Sequence, residues 1–212
     1  MAISKLLERA RSTAVITALI GFAFSLPVEA ASLFKGAQFH FRTGPLSATL
    51  SGKAAEVSGG RGFSVSNTID LDGEVFTSSR DSYVIRGILA HDLASAQTMY
   101  AYMGVGRRFY LWSNGMVVET MEKGTSVTSV PKWRYYVGAD AGFARVVAFN
   151  YGPVLEVAST LIDIGVHGGA IYQMTKSLGI DLHLGKSMGF GFSSVTVGCS
   201  TTRMFLGLSY FF

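Results

Sequence analysis

Arg203-Met204-Phe205-Leu206-Gly207-Leu208-Ser209-Tyr210-Phe211-Phe212, the last ten residues of the chain, alternate in character. Met204, Leu206, Leu208, Tyr210 and Phe212 take every second position, and Arg203, Phe205, Gly207, Ser209 and Phe211 take the others. Successive side chains on a strand point to opposite faces, so the stretch predicts a strand with one apolar face and one mixed face.

The same period of two runs upstream. Ala37, Phe39 and Phe41 oppose Gln38, His40 and Arg42; Phe63, Val65, Ile69, Leu71 and Val75 oppose Asp70, Asp72 and Glu74. Tyr83, Ile85 and Leu89 oppose Arg86; Met99, Met103, Val105, Phe109 and Leu111 oppose Tyr100, Tyr102, Gly104, Gly106 and Arg108. Tyr135, Val137, Ala139, Ala141 and Phe143 oppose Arg134, Tyr136 and Asp140, and Ile162, Ile164, Val166, Ala170 and Tyr172 oppose Asp163 and His167. Leu178, Ile180, Leu182, Leu184, Met188 and Phe190 oppose Gly179, Asp181, His183, Gly185, Ser187 and Gly189. With the terminal segment these make eight strands. A further hairpin over Met116–Met121 and Thr125–Val130 would make ten, and eight is preferred.

The eight segments hold 13 charged residues, of which 11 lie opposite the apolar face. Arg107 and Lys186 are the exceptions, long enough to reach an interface. A soluble sandwich would also alternate, with its polar face in water. Here the apolar faces are long and nearly free of charge, as contact with lipid demands. An Arg or Lys there costs about 2–4 kcal/mol at mid-bilayer.

The N-terminus agrees. Lys5, Arg9 and Arg11 precede an almost uncharged run from Ser12 to Leu26, and Val28-Glu29-Ala30 supplies small residues for a cut after Ala30. That is the pattern of a secretory signal peptide over residues 1–30, leaving 31–212 as one β-barrel domain. The apolar run is shorter than the roughly 20 residues of a spanning helix. Cys199 is the chain's one cysteine, which rules out an intrachain disulfide and metal sites built on cysteine pairs. The net charge of +4 comes with no Lys/Arg-rich run, so no nucleic-acid partner is expected.

A final strand ending in Phe, apolar at every second position before it, resembles the closing strand of bacterial outer-membrane barrels. Over the whole chain the architecture resembles the small barrels of the OmpA and OmpX type. The resemblance implies an all-β, antiparallel, up-and-down transmembrane barrel in the outer membrane, in contact with its lipid and lipopolysaccharide. It also implies that Met204, Leu206, Leu208, Tyr210 and Phe212 form the segment read by the barrel-assembly machinery. With the last strand ending at the periplasm, residues 44–62, 92–97, 145–158 and 191–200 become outside loops. The loops 44–62, 145–158 and 191–200 are the candidate surfaces for external ligands. Residues 76–81 and 173–177 become short periplasmic turns, and 113–131 an unusually long one. Tyr83, Tyr135, Tyr172 and Tyr210 fall where an aromatic girdle would anchor the barrel.

An eight-stranded barrel is just wide enough for its inward side chains to fill it. The inward charges are Arg42, Arg86, Arg108, Arg134 and Arg203 against Asp70, Asp72, Glu74, Asp140, Asp163 and Asp181. With Tyr100, Tyr102, Tyr136 and Phe205 they predict a plugged lumen. A turn centred near Thr175 would set His167 opposite His183, with Asp163 and Asp181 on the same face. Two His and two Asp could bind a metal or move protons, but a hydrogen-bonded lumen network is the preferred reading. No metal or cofactor is expected. His183 and Ser187 share a strand face, as a lipid-modifying enzyme would need, but with lumen parity, so no enzyme activity is expected. The alternative to a structural or surface-interacting barrel is a narrow channel, with Gly104, Gly106, Gly179, Gly185 and Gly189 leaving the room.

Overall fold

The computed structural model describes residues 36–52, 62–91, 98–113, 115, 118–122, 125–129, 131–150, 155–191 and 197–212. The signal peptide read at residues 1–30 lies outside them. Ten strands follow in chain order: β1 (Ala37–Gly52), β2 (Phe63–Phe76), β3 (Asp81–His91), β4 (Thr98–Leu111), β5 (Val118–Glu122), β6 (Thr125–Ser129), β7 (Trp133–Asn150), β8 (Leu155–Gln173), β9 (Leu178–Gly191) and β10 (Val197–Phe211).

Eight of these close into an antiparallel barrel in the order β1-β10-β9-β8-β7-β4-β3-β2, while β5 and β6 pair only with each other. The hairpin raised as the ten-strand alternative within 113–131 therefore forms, over Val118–Glu122 and Thr125–Ser129, but does not enlarge the barrel, which has the preferred eight strands. β4 pairs directly with β7 along its whole length, from Thr98↔Ala148 to Leu111↔Tyr135, leaving no open edge for an insertion. Strands of five residues are also too short to cross beside neighbours of 14 and 18.

Following paired residues once around gives the stagger. Phe41 faces Leu71, then Gly87, Met103, Phe143, Ile162, Phe190 and Gly198, which faces Ser51 on β1 again. The circuit returns ten residues along the starting strand. This even shear keeps inward and outward faces consistent and tilts the strands by about 40°.

Alternation decides what each face meets. Outward side chains include Met103 at 71 %, Phe143 at 66 % and Ile85 at 63 % exposed. So large a continuous apolar surface is incompatible with water and suits acyl chains. At the end that holds Phe211, an aromatic girdle surrounds the rim: Trp133 packs on Tyr172 at 4.8 Å and stacks on Tyr135, which Trp112 meets edge-on. Tyr210 and Phe212 continue it.

At the opposite end the polarity inverts. Leu46, Ala48 and Leu50 of β1 point inward and are buried, whereas Ser47, Thr49 and Ser51 are exposed. Inside, they join Val65, Ile88, Ala90, Ala144, Val146, Leu161, Val197 and Cys199 in one apolar cluster. This upper storey, about 20 Å tall over the eight residues 45–52, is built like a soluble barrel. It corrects the expected outside loops: residues 44–52, 145–150, 155–158 and 197–200 are strand. The apolar outward pattern that marked strands in the sequence stops here, although the wall continues.

Two further corrections sit at this boundary. Phe63 and Val65 were expected on the outward face, yet Val65 is buried and Phe63 packs on the inner cluster. The pairing of β1 with β2 shifts between Gly44 and Leu46, because β2 holds an extra residue there, and the bulge reverses the parity beyond it. On the β1–β10 seam the ladder also skips Gly44 and Pro45. Pro45 has no N–H to give, and Gly44 has φ +156° with its backbone against the Met204 carbonyl, where a Cβ would collide.

Candidate functional site

The lumen is the one place where chemistry is concentrated among the described residues. All eleven inward charges read from the sequence lie inside the barrel and are at most 3 % exposed. Alternation alone puts them there; the register decides their partners.

Arg42 is the hub. Its Nε donates to Asp181 Oδ2 at 2.6 Å, its Nη1 to Asp70 and its Nη2 to Asp72. Arg86 grips Asp70 with two bonds, at 2.7 and 2.9 Å, and reaches Asp140 at 3.3 Å. Arg108 donates to Glu74 at 2.5 Å and Asp72 at 3.0 Å, with its guanidinium 4.3 Å from the centre of the Tyr136 ring. Tyr110 and Ser82 also donate to Glu74. Arg203 makes only long bonds to Asp140, at 3.3 and 3.4 Å.

His40, an inward residue that the charge count passed over, is part of this lattice. Its Nδ1 lies 2.7 Å from Asp181 and its Nε2 2.9 Å from Glu74. A carboxylate only accepts, so Nδ1 donates to Asp181, while Nε2 stands between the Glu74 carboxylate and Arg108 Nη1, which is 3.1 Å away. Its role was hidden because one partner, Asp181, lies 141 residues away on a strand that is not its neighbour. Among the described residues two of the inward charges have no opposite partner. Arg134 donates to the amide oxygens of Gln38 and Gln173 and to the Gly115 carbonyl. Asp163 accepts from the hydroxyls of Ser187 and Tyr100.

The His/Asp quartet of strands β8 and β9 is divided among different partners. His167 faces Gly185, and His183 faces Gly169, so the expected pairing is off by two residues. The turn centres on Lys176 and not on Thr175. The rings still approach at 5.1 Å, but each side chain has a different partner. His167 donates to Asp140 at 2.9 Å. Arg86 can only donate, so His183 Nε2 accepts from it at 2.7 Å and the ring proton sits on Nδ1, facing the Tyr136 oxygen at 3.0 Å. The Tyr136 hydroxyl then donates to Asp181 at 3.0 Å. Among the described residues no three His, Cys, Asp or Glu side chains are grouped as metal ligands. Ser187 bonds Asp163 and Thr201, and no bond joins it to His183.

Several inward glycines seat a large polar neighbour: a Cβ on Gly138 would lie 2.5 Å from His167 Nε2, on Gly169 2.5 Å from the Tyr136 hydroxyl, and on Gly185 2.7 Å from Arg203 Nε. The Tyr102 hydroxyl fills the space beside Gly104 in the same way. Glycine on the wall makes room for long side chains in the lumen.

At the floor of the lumen Phe76 packs on Tyr110 and Phe211, with ring centroids 5.5 and 5.9 Å apart. Gly115, from the long connection after β4, folds under it: its N–H donates to the Ser79 carbonyl at 2.6 Å. A Cβ there would lie 2.6 Å or less from Tyr110 and Phe76. Gly115→Val is expected to lower stability by about 1–3 kcal/mol through overpacking. The check is the urea midpoint of the refolded barrel, and an unchanged midpoint would mean that the floor does not pack this way.

With this geometry in view, the chain is similar to the solved structure of Neisserial surface protein A. The TM-score is 0.51 at 13 % identity, over 84 % of this chain and 97 % of that one. The fold is that of a small outer-membrane barrel. Two other solved structures are more distant. They are the N-terminal β-barrel domain of Pseudomonas aeruginosa OprF (TM-score 0.44, 11 % identity, 83 % and 97 % covered) and Ail, the attachment invasion locus protein of Yersinia pestis (0.43, 12 %, 82 % and 97 %). No protein-family model and no curated protein matches the chain.

Proposed function

We propose that the chain is an integral outer-membrane protein that acts through its outer surface, with a sealed lumen as its structural pillar. The end holding Phe211 faces the periplasm in this reading, and the upper storey projects outward beyond the bilayer. One observation carries the proposal: a continuous ion-pair lattice, from Arg108 and Glu74 through Arg42 to Arg86 and Asp140, fills the lumen above an aromatic floor. A charge-lined pore keeps its charged groups facing water, whereas these are spent on one another. The separate partners of His183 and Ser187 support a role without catalysis. External ligands would then meet the upper storey and the connections between its strands, at 53–61, 151–154 and 192–196, more than the longer loops read from the sequence.

A narrow channel has one observation in its favour. Near the upper lumen, Arg203 Nε and Nη1, His167 Nε2 and Asp163 Oδ1 are buried without a protein partner among the described residues. Single-channel recording of the refolded chain in a planar bilayer separates the two. The sealed-lumen reading expects silence from a barrel whose heat-modifiable gel migration shows it folded. Steady discrete openings would overturn it and make Arg203 and Asp163 the first groups to mutate.

A further inference from the structure

On the lipid-facing surface, an open groove of about 1120 Å³ crosses β4, β7, β8, β9 and β10. At its lower end stands the one ion pair of the outer face among the described residues. Arg107, its side chain 66 % exposed, donates through Nε to Asp81 Oδ1 at 2.8 Å and through Nη2 to Asp81 Oδ2. Asp81 opens β3 at the rim, so the pair brings the Arg107 guanidinium down to the level of the aromatic girdle, where headgroups lie.

From this pair the groove runs past Phe109, Val137, Val166, Leu184 and Met204. Its bed passes Gly168, an outward glycine. A Cβ there would lie 3.2 Å from the Tyr136 carbonyl oxygen, a tight contact that a shift of a few tenths of an ångström relieves, and would otherwise meet only Val137 at 3.6 Å. The direction follows from the shear. Rows of paired residues climb away from the Phe211 end in passing from β3 toward β10. Five inter-strand steps of about 4.8 Å at a tilt of about 40° rise about 15 Å, one leaflet of a core about 30 Å thick.

We infer that this groove holds a zwitterionic phospholipid of the periplasmic leaflet, with its phosphate on Arg107, its primary ammonium on Asp81 and an acyl chain lying along Gly168. A paired cation and anion match a phosphoethanolamine headgroup in both charges. An anionic glycerol headgroup would meet the repulsion of Asp81, and a choline headgroup offers no N–H to it. The inference rests on the membrane placement proposed above.

Trp112 and Trp133, the chain's two tryptophans, stand exposed in the girdle beside this end of the groove. The full mature chain is refolded into phosphatidylcholine vesicles that contain a small fraction of brominated phosphatidylethanolamine, phosphatidylglycerol or phosphatidylcholine, and tryptophan quenching is read. Brominated phosphatidylethanolamine should quench as though enriched about threefold over its mole fraction, the range an exposed charge pair supports. Arg107→Ala should abolish the enrichment through the headgroup. Gly168→Leu should reduce it by filling the bed while leaving both charges in place. Quenching that follows mole fraction for all three lipids in the wild-type barrel overturns the inference. So does enrichment that survives both substitutions. Heat-modifiable migration is read on each sample, so a failure of the barrel reading is seen separately from a failure of the lipid site.

Discussion

Arg42→Met is expected to lower the unfolding free energy of the bilayer-refolded barrel by about 3–5 kcal/mol, the usual cost of removing one partner from a buried charge network. Arg42 is fully buried and gives bonds to Asp181, Asp70 and Asp72 at once. Its removal leaves Asp181 to His40 and Tyr136, and Asp70 to Arg86 alone. Asp72 keeps Arg108. The informative control is Arg134→Met. That residue is equally large and nearly as buried, but its partners are two neutral amides and a carbonyl. No carboxylate is stranded, so its loss should be about 1–3 kcal/mol, the range for a buried hydrogen-bonding group left without its partner. Urea titration in lipid vesicles, followed by tryptophan fluorescence, measures both. Equal losses for the two would mean that the lattice does not bind the barrel by charge pairing.

Leu206→Arg tests the other face, with an expected cost of about 2–4 kcal/mol for a cation near the bilayer midplane. Leu206 points outward from the middle of β10 and is 57 % exposed on the barrel, which in a membrane means lipid contact. Thr49→Arg is the companion. Thr49 also points outward, but from the upper storey of β1, where Ser47 and Ser51 share its exposed face. An Arg there remains in water and should cost within about 0.5 kcal/mol, as ordinary surface substitutions do. The same urea titration reads the pair. If Thr49→Arg proved as costly as Leu206→Arg, the polarity inversion would not mark the membrane boundary.

Much of this architecture was legible in the sequence because alternation is local. Asp70, Asp72 and Glu74 read as one face without reference to any other strand, and the structure buries all three. The outward pair of exceptions was legible too: Arg107 and Lys186 are both exposed. Where alternation was interrupted, the reading failed. The extra residue that β2 holds between Val65 and Thr68, opposite Gly44 and Leu46 of β1, turned Val65 inward, and nothing in a period of two announces a bulge. In the upper storey the strands run on with apolar residues inside, so a search for apolar outward faces mistook wall for loop.

The lumen partners were illegible for a different reason. His40 reaches Asp181 from β1 to β9, strands separated by β10, so their meeting depends on stagger around the closed wall. A register error of two residues between β8 and β9 left every side chain on its correct face and still reassigned every partner of His167 and His183.

The sequence by itself determined the class of fold, the count of barrel strands and the face to which each charge belongs. A pleated strand in a two-solvent environment permits only one parity over its length, and that constraint is written residue by residue. Tertiary structure alone decided the shear of ten, the exclusion of the β5–β6 hairpin, the closure under Gly115 and the identity of each ion pair. Those follow from how eight tilted strands close on themselves, a condition on the whole circuit that no single strand carries.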